Sequence, residues 1–256
     1  MKYLITIFLS TMLCWSCNPS KDSSTNQSSG VDSQEEKVDP QDLIGAWQAT
    51  YKTDSNTIKL VTIVADGYLS TAGYDNDTNA FLLTYGGAWK LNEGKLVSTY
   101  EYATQDTSLV GETRSYAFSI NHDTITFDHN EVIWTRIDDG TPGELSGAWL
   151  ITGRKRDGEI RKRDTDRPRK TMKILSGTRF QWIAYNTATR EFMGTGGGTY
   201  TTGNGKYEEH IEFFSRDNSR VGASLEFDYK LEDGDWHHSG LSSKGDPIYE
   251  IWSLRE

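Results

Sequence analysis

The chain has only two cysteines among 256 residues, Cys14 and Cys17. Whatever folds beyond them does so without a disulfide, so its core alone must hold it, and about 100 residues per domain suffice for that. Proline is scarce, at 5 residues against 24 glycines, and the 35% apolar, 12% aromatic and 25% charged composition suits a globular β-rich chain. After residue 16 no apolar run approaches the ~18–20 residues that cross a bilayer as a helix, which excludes a multi-spanning helical protein. Basic residues are outnumbered 27 to 37 by acids, for a net charge of −10. That argues against a general nucleic-acid binder, because phosphate contact rewards an excess of Lys and Arg.

Met1-Lys2 is a short positive start and Tyr3 to Trp15 a short apolar stretch, together a secretory signal too short to be an anchor helix. Cys17 follows the small residue Ser16. The segment resembles a lipobox, with Cys14 and Trp15 where an aliphatic and a small residue are usual. The resemblance implies lipidation of Cys17 and an outer-membrane lipoprotein of the cell envelope, touching the membrane through its lipid only. Ordinary secretion is the alternative. Residues 18–40, NPSKDSSTNQSSGVDSQEEKVDP, carry no aromatic residue and two valines. They bury too little to fold and read as a disordered tether.

The rest of the chain repeats itself. Gly45-Ala46-Trp47 recurs as Gly147-Ala148-Trp149, Thr57-Ile58-Lys59-Leu60 as Thr171-Met172-Lys173-Ile174, and Gly86-Gly87-Ala88-Trp89 as Gly197-Gly198-Thr199-Tyr200. From there Gly94-Lys95 falls on Gly205-Lys206, Glu101-Tyr102 on Glu212-Phe213 and Val110-Gly111 on Val221-Gly222, and both copies close on Ile-Trp, Ile133-Trp134 and Ile251-Trp252. Two homologous domains, 41–139 and 143–256, are expected, joined by the turn Gly140-Thr141-Pro142-Gly143.

In the second copy the pattern predicts eight strands: Ala148–Lys155, Thr171–Leu175, Phe180–Tyr185, Phe192–Thr201, Tyr207–Phe214, Ser224–Leu231, Trp236–Leu241 and Ile248–Leu254. Tyr207-Glu208-Glu209-His210-Ile211-Glu212-Phe213 alternates apolar with charged residues, as a half-buried strand does. No convincing helix interrupts the strands. The fold class is all-β: two tandem eight-stranded antiparallel barrels, closed because closure removes exposed edges, with a β-sandwich as the alternative.

The Gly-x-Trp of the first strand and the Arg after the last Trp-bearing strand resemble the signature of lipocalins and their calycin relatives, here the small lipocalin-like domains of exported Bacteroidota lipoproteins. The resemblance implies that Trp47 and Trp149 plug the barrel bases, with Arg136 and Arg255 packed over their rings as cation–π partners. It brings no assured activity, since a fold alone does not assign one.

Comparison of the copies isolates candidate chemistry. Ser98 and Thr99 become Glu209 and His210, while Glu101 and Glu212 share one place. His210 and Glu212, two apart on a strand, are expected on one face, which suits a general base with its orienting carboxylate or half of a metal site. The competing reading is an outward pair on a solvated wall. Of the adjacent His237 and His238 at most one looks inward, and without cysteines or a tight ligand motif no metal or other cofactor is expected. Gly194-Thr195-Gly196-Gly197-Gly198 lacks the following helix of a phosphate loop, so these glycines permit coiling or close approach. Lys244-Gly245-Asp246-Pro247 reads as a turn.

Charge is uneven. Residues 41–140 hold 14 acids and 6 bases, whereas 143–256 hold 18 of each, and Arg154 to Lys170 alone carries nine bases against four acids. As the first inter-strand loop it would be a basic lid steering an anionic ligand, or simply a solvated loop. It has no interleaved aromatic stacking platforms, and nucleic acid is not expected.

The leading expectation is a non-catalytic binding protein whose second barrel holds a small amphipathic or anionic molecule, a sugar, lipid or fatty-acid-like ligand. Its contacts would be Arg154, Gln181, Trp182, Tyr185, His210, Glu212 and His238. The first barrel would be structural or bind a partner. One rival is a sugar or lipid hydrolase or isomerase, with His210 as base oriented by Glu212 or Glu226. The other is a scaffold docked on an outer-membrane protein.

Overall fold

A computed structural model describes residues 38–242 and 245–255. The signal, the Cys17 lipobox, the tether up to residue 37, and Lys244 of the expected turn lie outside the described residues. The strands are β1 (Gly45–Lys52), β2 (Thr57–Ala65), β3 (Tyr68–Asp75), β4 (Phe81–Asn92), β5 (Lys95–Ala103), β6 (Thr113–Asn121), β7 (Thr124–Phe127) and β8 (Ile133–Asp138), then β9 (Gly147–Arg156), β10 (Glu159–Lys162), β11 (Arg169–Leu175), β12 (Arg179–Asn186), β13 (Glu191–Gly203), β14 (Lys206–Phe214), β15 (Ser224–Glu232), β16 (Asp235–Leu241) and β17 (Pro247–Leu254). Strands β1 to β8 form a closed barrel, and β9 with β11 to β17 form a second, closed by pairing of β17 with β9. Every neighbouring pair is antiparallel, as tight turns between sequential strands require. Three single 3-10 turns are the only helical elements among the described residues.

The repeated Gly-x-Trp builds each barrel base. The Trp47 indole N–H donates to the Leu43 carbonyl at 2.9 Å, and that of Trp149 donates to Leu145 at the same distance. Gly45 has φ +121°, and a Cβ there would stand 2.1 Å from the Asp138 carbonyl oxygen, so only glycine fits. The Arg136 guanidinium lies over the Trp47 ring, 4.0 Å from its centroid. The expected Arg255–Trp149 pair does not form. Leu254, not Arg255, stands opposite Trp149, because Arg255 follows its strand's tryptophan by three residues where Arg136 follows by two. One residue of shift reverses the face, and Arg255 covers Tyr68 of the first barrel instead, at 3.9 Å.

The segment expected as a lid is largely a hairpin. β10 pairs with the distal half of β9, from Glu159 opposite Arg156 to Lys162 opposite Gly153, and extends the wall of the second barrel.

The barrels pack wall to wall through an interface that repeats itself about a pseudo-twofold relation. In each barrel the double glycine faces a β-bulge whose extra residue is a glutamate, Glu101 opposite Gly86/Gly87 and Glu212 opposite Gly197/Gly198. A Cβ on Gly87 or Gly198 would lie about 2 Å from the opposing carbonyl oxygen of Thr99 or His210. The bulge re-aims its carboxylate, and each is taken up by the other barrel. Tyr74 donates to Glu212 at 2.9 Å, and the equivalent Tyr185 donates to Glu101. Each carboxylate also receives an arginine: Arg179 at 2.6 Å on Glu212, and Arg255 through two hydrogen bonds of 2.8 and 2.9 Å on Glu101. Between them Ser70 donates to Gln181 at 2.6 Å, and Gln181 donates to Thr84 and Thr195. Ile63, Ala65 and Tyr102 pack on Met172, Ile174 and Ile183 around this network. Mutual exchange between equivalent residues is the pattern of an isologous contact.

Candidate functional site

The two barrels share a scaffold but are filled differently. In the register set by the basal tryptophans, Thr62 stands opposite Trp47 and Lys173 opposite Trp149. Thr62 is therefore the counterpart of Lys173; the sequence match of Lys59 to Lys173 is three residues out of register. The same correspondence pairs Leu96 with Tyr207, Ser98 with Glu209, Tyr116 with Phe227 and Ile125 with Trp236. At each position except the Tyr116–Phe227 pair the second barrel carries the larger or charged side chain.

In the second barrel these groups fill the interior. Lys173 donates to Glu209 at 2.7 Å, with side-chain exposures of 7% and 6%. The same ammonium lies 5.0 to 5.8 Å from the ring centroids of Tyr207, Phe227, Trp236 and Trp252, an aromatic cage around a cation. Tyr207 donates to Glu209 at 2.9 Å, and Arg154 reaches in from the rim to Glu250 at 2.7 Å. His238 is buried on Phe227, 4.1 Å between centroids, with Glu250 3.6 Å from its Nδ1. That distance is beyond a hydrogen bond. Burial and the nearby Lys173 ammonium hold His238 below the usual imidazole pKa, so the ring is neutral.

Burial pushes Glu250 upward, but the Arg154 and Lys173 cations outweigh it and hold its pKa at about 2. The folded pKa is thus depressed from an ordinary 4.5, so the stability it confers is complete above that value and lost as the pH falls towards about 2. The loss amounts to about 3 kcal/mol. His238, also depressed, adds a loss of the same sign below its ordinary 6.5. Thermal melts across this range are expected to show stability falling with acid, and E250Q to show a shallower acid limb.

The first barrel is hollow. A cavity of about 360 Å³ runs from Leu43 and Trp47 at the base to His129 and Asn130 at the mouth, walled by Val64, Leu69, Leu96, Phe118, Ile125 and Trp134. Its polar groups are mostly hydroxyls already engaged: Thr62 with Thr71 at 2.7 Å, Tyr100 with Tyr116 at 2.6 Å, and Ser98 donating to the Ala88 carbonyl at 3.4 Å. Burial raises Tyr85 and Tyr100 above the usual phenol range, which keeps both neutral. The one carboxylate on the lining, Asp106, is at the rim and accepts from the Ser108 N–H and hydroxyl. A volume of this size with apolar walls and few polar groups is the usual form of a small-molecule site.

The residues expected to hold a ligand in the second barrel do not converge. Gln181, Tyr185 and Glu212 face the first barrel in the interface. Trp182 points inward and packs on Phe214 at 5.7 Å, and His238 and Arg154 belong to the charged interior and its rim. His210 is exposed on the outer wall, 3.5 Å from Ser224, and Glu226 is exposed and paired with Lys206. His210 and both carboxylates all lie outside the barrel interior, and the carboxylates are taken by other groups, Glu212 by Tyr74 and Arg179 at the interface and Glu226 by Lys206 on the outer wall. Ser98, read as part of a structural barrel, lines the cavity, while Thr99 faces outward to Thr113. Ordinary sequence signals marked this contrast: Glu209 falls on the apolar face of β14, and its counterpart in the first copy is a serine.

Comparison of the chain with protein-family models and with curated proteins finds no match.

Proposed function

We propose that the protein binds an uncharged, apolar small molecule inside its first barrel, as an exported, lipid-anchored binding protein of the lipocalin-like kind its sequence resembles. The observation that carries this reading is the difference in filling between equivalent positions. Where the second barrel spends Lys173, Glu209, Tyr207 and Trp236, the first has Thr62, Ser98, Leu96 and Ile125 around an open volume. The second barrel holds its own lysine where a ligand would sit and supports the first. A charged ligand is disfavoured, because an ion moved into this apolar cavity would lose its water without gaining a partner. Binding rather than catalysis is the reading favoured by a cavity whose inner polar groups are hydroxyls engaged with protein atoms, with Asp106, His129 and Asn130 confined to its rim.

Native mass spectrometry of the full chain, purified from cells without detergent, tests the reading. A retained neutral molecule is expected, absent from T62K/L96Y/S98E/I125W, which copies the second barrel's filling. Retention of the same molecule by that variant would place it elsewhere and overturn the assignment.

A further inference from the structure

The second domain carries a cationic recess with no counterpart in the first. In the first barrel a short turn, residues 53–56, joins β1 to β2, and the two strands stay paired from Gly45 to Lys52. In the second, the β9–β10 hairpin and the loop after it intervene, and β11 pairs with β9 only from Leu150 downward. The gap leaves a recess of about 390 Å³ floored by Leu150 and Ile151 and lined by Lys162, Arg163, Arg167, Arg169 and Lys170, with Asp164 as its single acid.

The charges there are not balanced. Asp164 is occupied by Arg167 at 3.2 Å and by the Asp166 N–H at 3.0 Å. Lys170 donates to the Thr165 carbonyl. Among the described residues no carboxylate lies within ion-pair distance of Lys162, Arg163 or Arg169. Arg163 is half-buried, and its backbone N–H donates to the Thr152 carbonyl at 2.7 Å, which fixes the chain at this point of the recess. Burial, together with Arg154 and Arg169 nearby, lowers its pKa from the ordinary guanidinium value. Like charges held this close are a cost that a bound anion would relieve.

We infer that this recess binds a phosphate ester carrying two or more negative charges, held by the guanidinium forks of Arg163 and Arg169 with Lys162 beside them. Guanidinium geometry matches phosphate oxygens two at a time, which a scatter of lysines would not. The recess is polar where the first-barrel cavity is apolar, so the two sites take different ligands. A soluble molecule and a lipid headgroup present the same phosphate, and the chemistry of recognition is the same for both.

The test titrates the full chain by calorimetry with pyrophosphate, and separately measures its co-sedimentation with phosphatidylcholine vesicles with and without phosphatidylinositol phosphate. Two variants are compared, R163Q/R169Q and, as a control on another face, K206Q. Binding of either probe that weakens at least tenfold in R163Q/R169Q and is unchanged in K206Q supports the site. Pyrophosphate alone identifies a soluble source, and vesicles with competition by pyrophosphate identify a headgroup. Should R163Q/R169Q fold poorly, R163K/R169K keeps the charge and removes the forks, and a partial loss is expected. No binding of either probe, or binding indifferent to both arginine variants, overturns the proposal.

Discussion

Lys173→Met is expected to destabilise the protein by about 3–5 kcal/mol, because it leaves the Glu209 carboxylate buried without its cation. For a chain of this size that is roughly 10 °C in melting temperature. The carboxylate has little recourse: it is 6% exposed and its other donor is the neutral Tyr207 hydroxyl. The double variant Lys173→Thr/Glu209→Ser, which imports the first barrel's own pair, removes both charges together. It should therefore cost less than the single change despite removing more atoms, with the remaining loss coming from the cavity opened among Tyr207, Trp236 and Trp252. Differential scanning calorimetry of the two variants separates these terms. A single variant no worse than the double one would mean that the lysine and glutamate are not coupled.

The second large effect is expected at the interface. Arg255→Met removes both hydrogen bonds to Glu101 and the cover over Tyr68 while Glu101 stays largely buried, so a loss of about 3 kcal/mol is expected. Glu101 itself is pulled upward by burial and held below its usual range by Arg255. What distinguishes this variant from a core substitution is where the loss appears. The barrels have separate cores on either side of the interface, so weakening the contact should split one melting transition into two. A single transition merely shifted downward would show that the barrels remain one cooperative unit without this ion pair.

Much of the fold is legible because it rests on period-two alternation and on a duplicated pattern. The eight strands expected in the second copy lie within a few residues of those observed, since Gly, Asn and Asp turns punctuate them. The β9–β10 hairpin escapes because a run of nine bases looks solvated whether it is loop or strand. The site is harder to read for two reasons of phase. Each barrel has a bulge at its interface glutamate, which shifts the phase of the residues after it and so conceals that Phe213 turns to the interface while Phe214 packs on the core. The sequence match of Lys59 to Lys173 then conceals that a threonine, Thr62, faces the buried lysine's position. With the register fixed on the basal tryptophans, the small residues of the first copy read as an empty interior and the large ones of the second as a full one.

That contrast is the central claim, and it is tested most directly by transplanting one interior into the other. The chain is titrated with the neutral apolar fluorophore N-phenylnaphthylamine, then compared with T62K/L96Y/S98E/I125W, which carries the second barrel's four filling residues in the first, and with I125W alone as the milder change. The wild-type chain is expected to take up one fluorophore with a blue-shifted, saturable signal, I125W to bind it more weakly, and the fourfold variant to lose it while still melting cooperatively. Undiminished uptake by a folded fourfold variant would contradict the account, because the apolar molecule would then sit somewhere other than the first barrel.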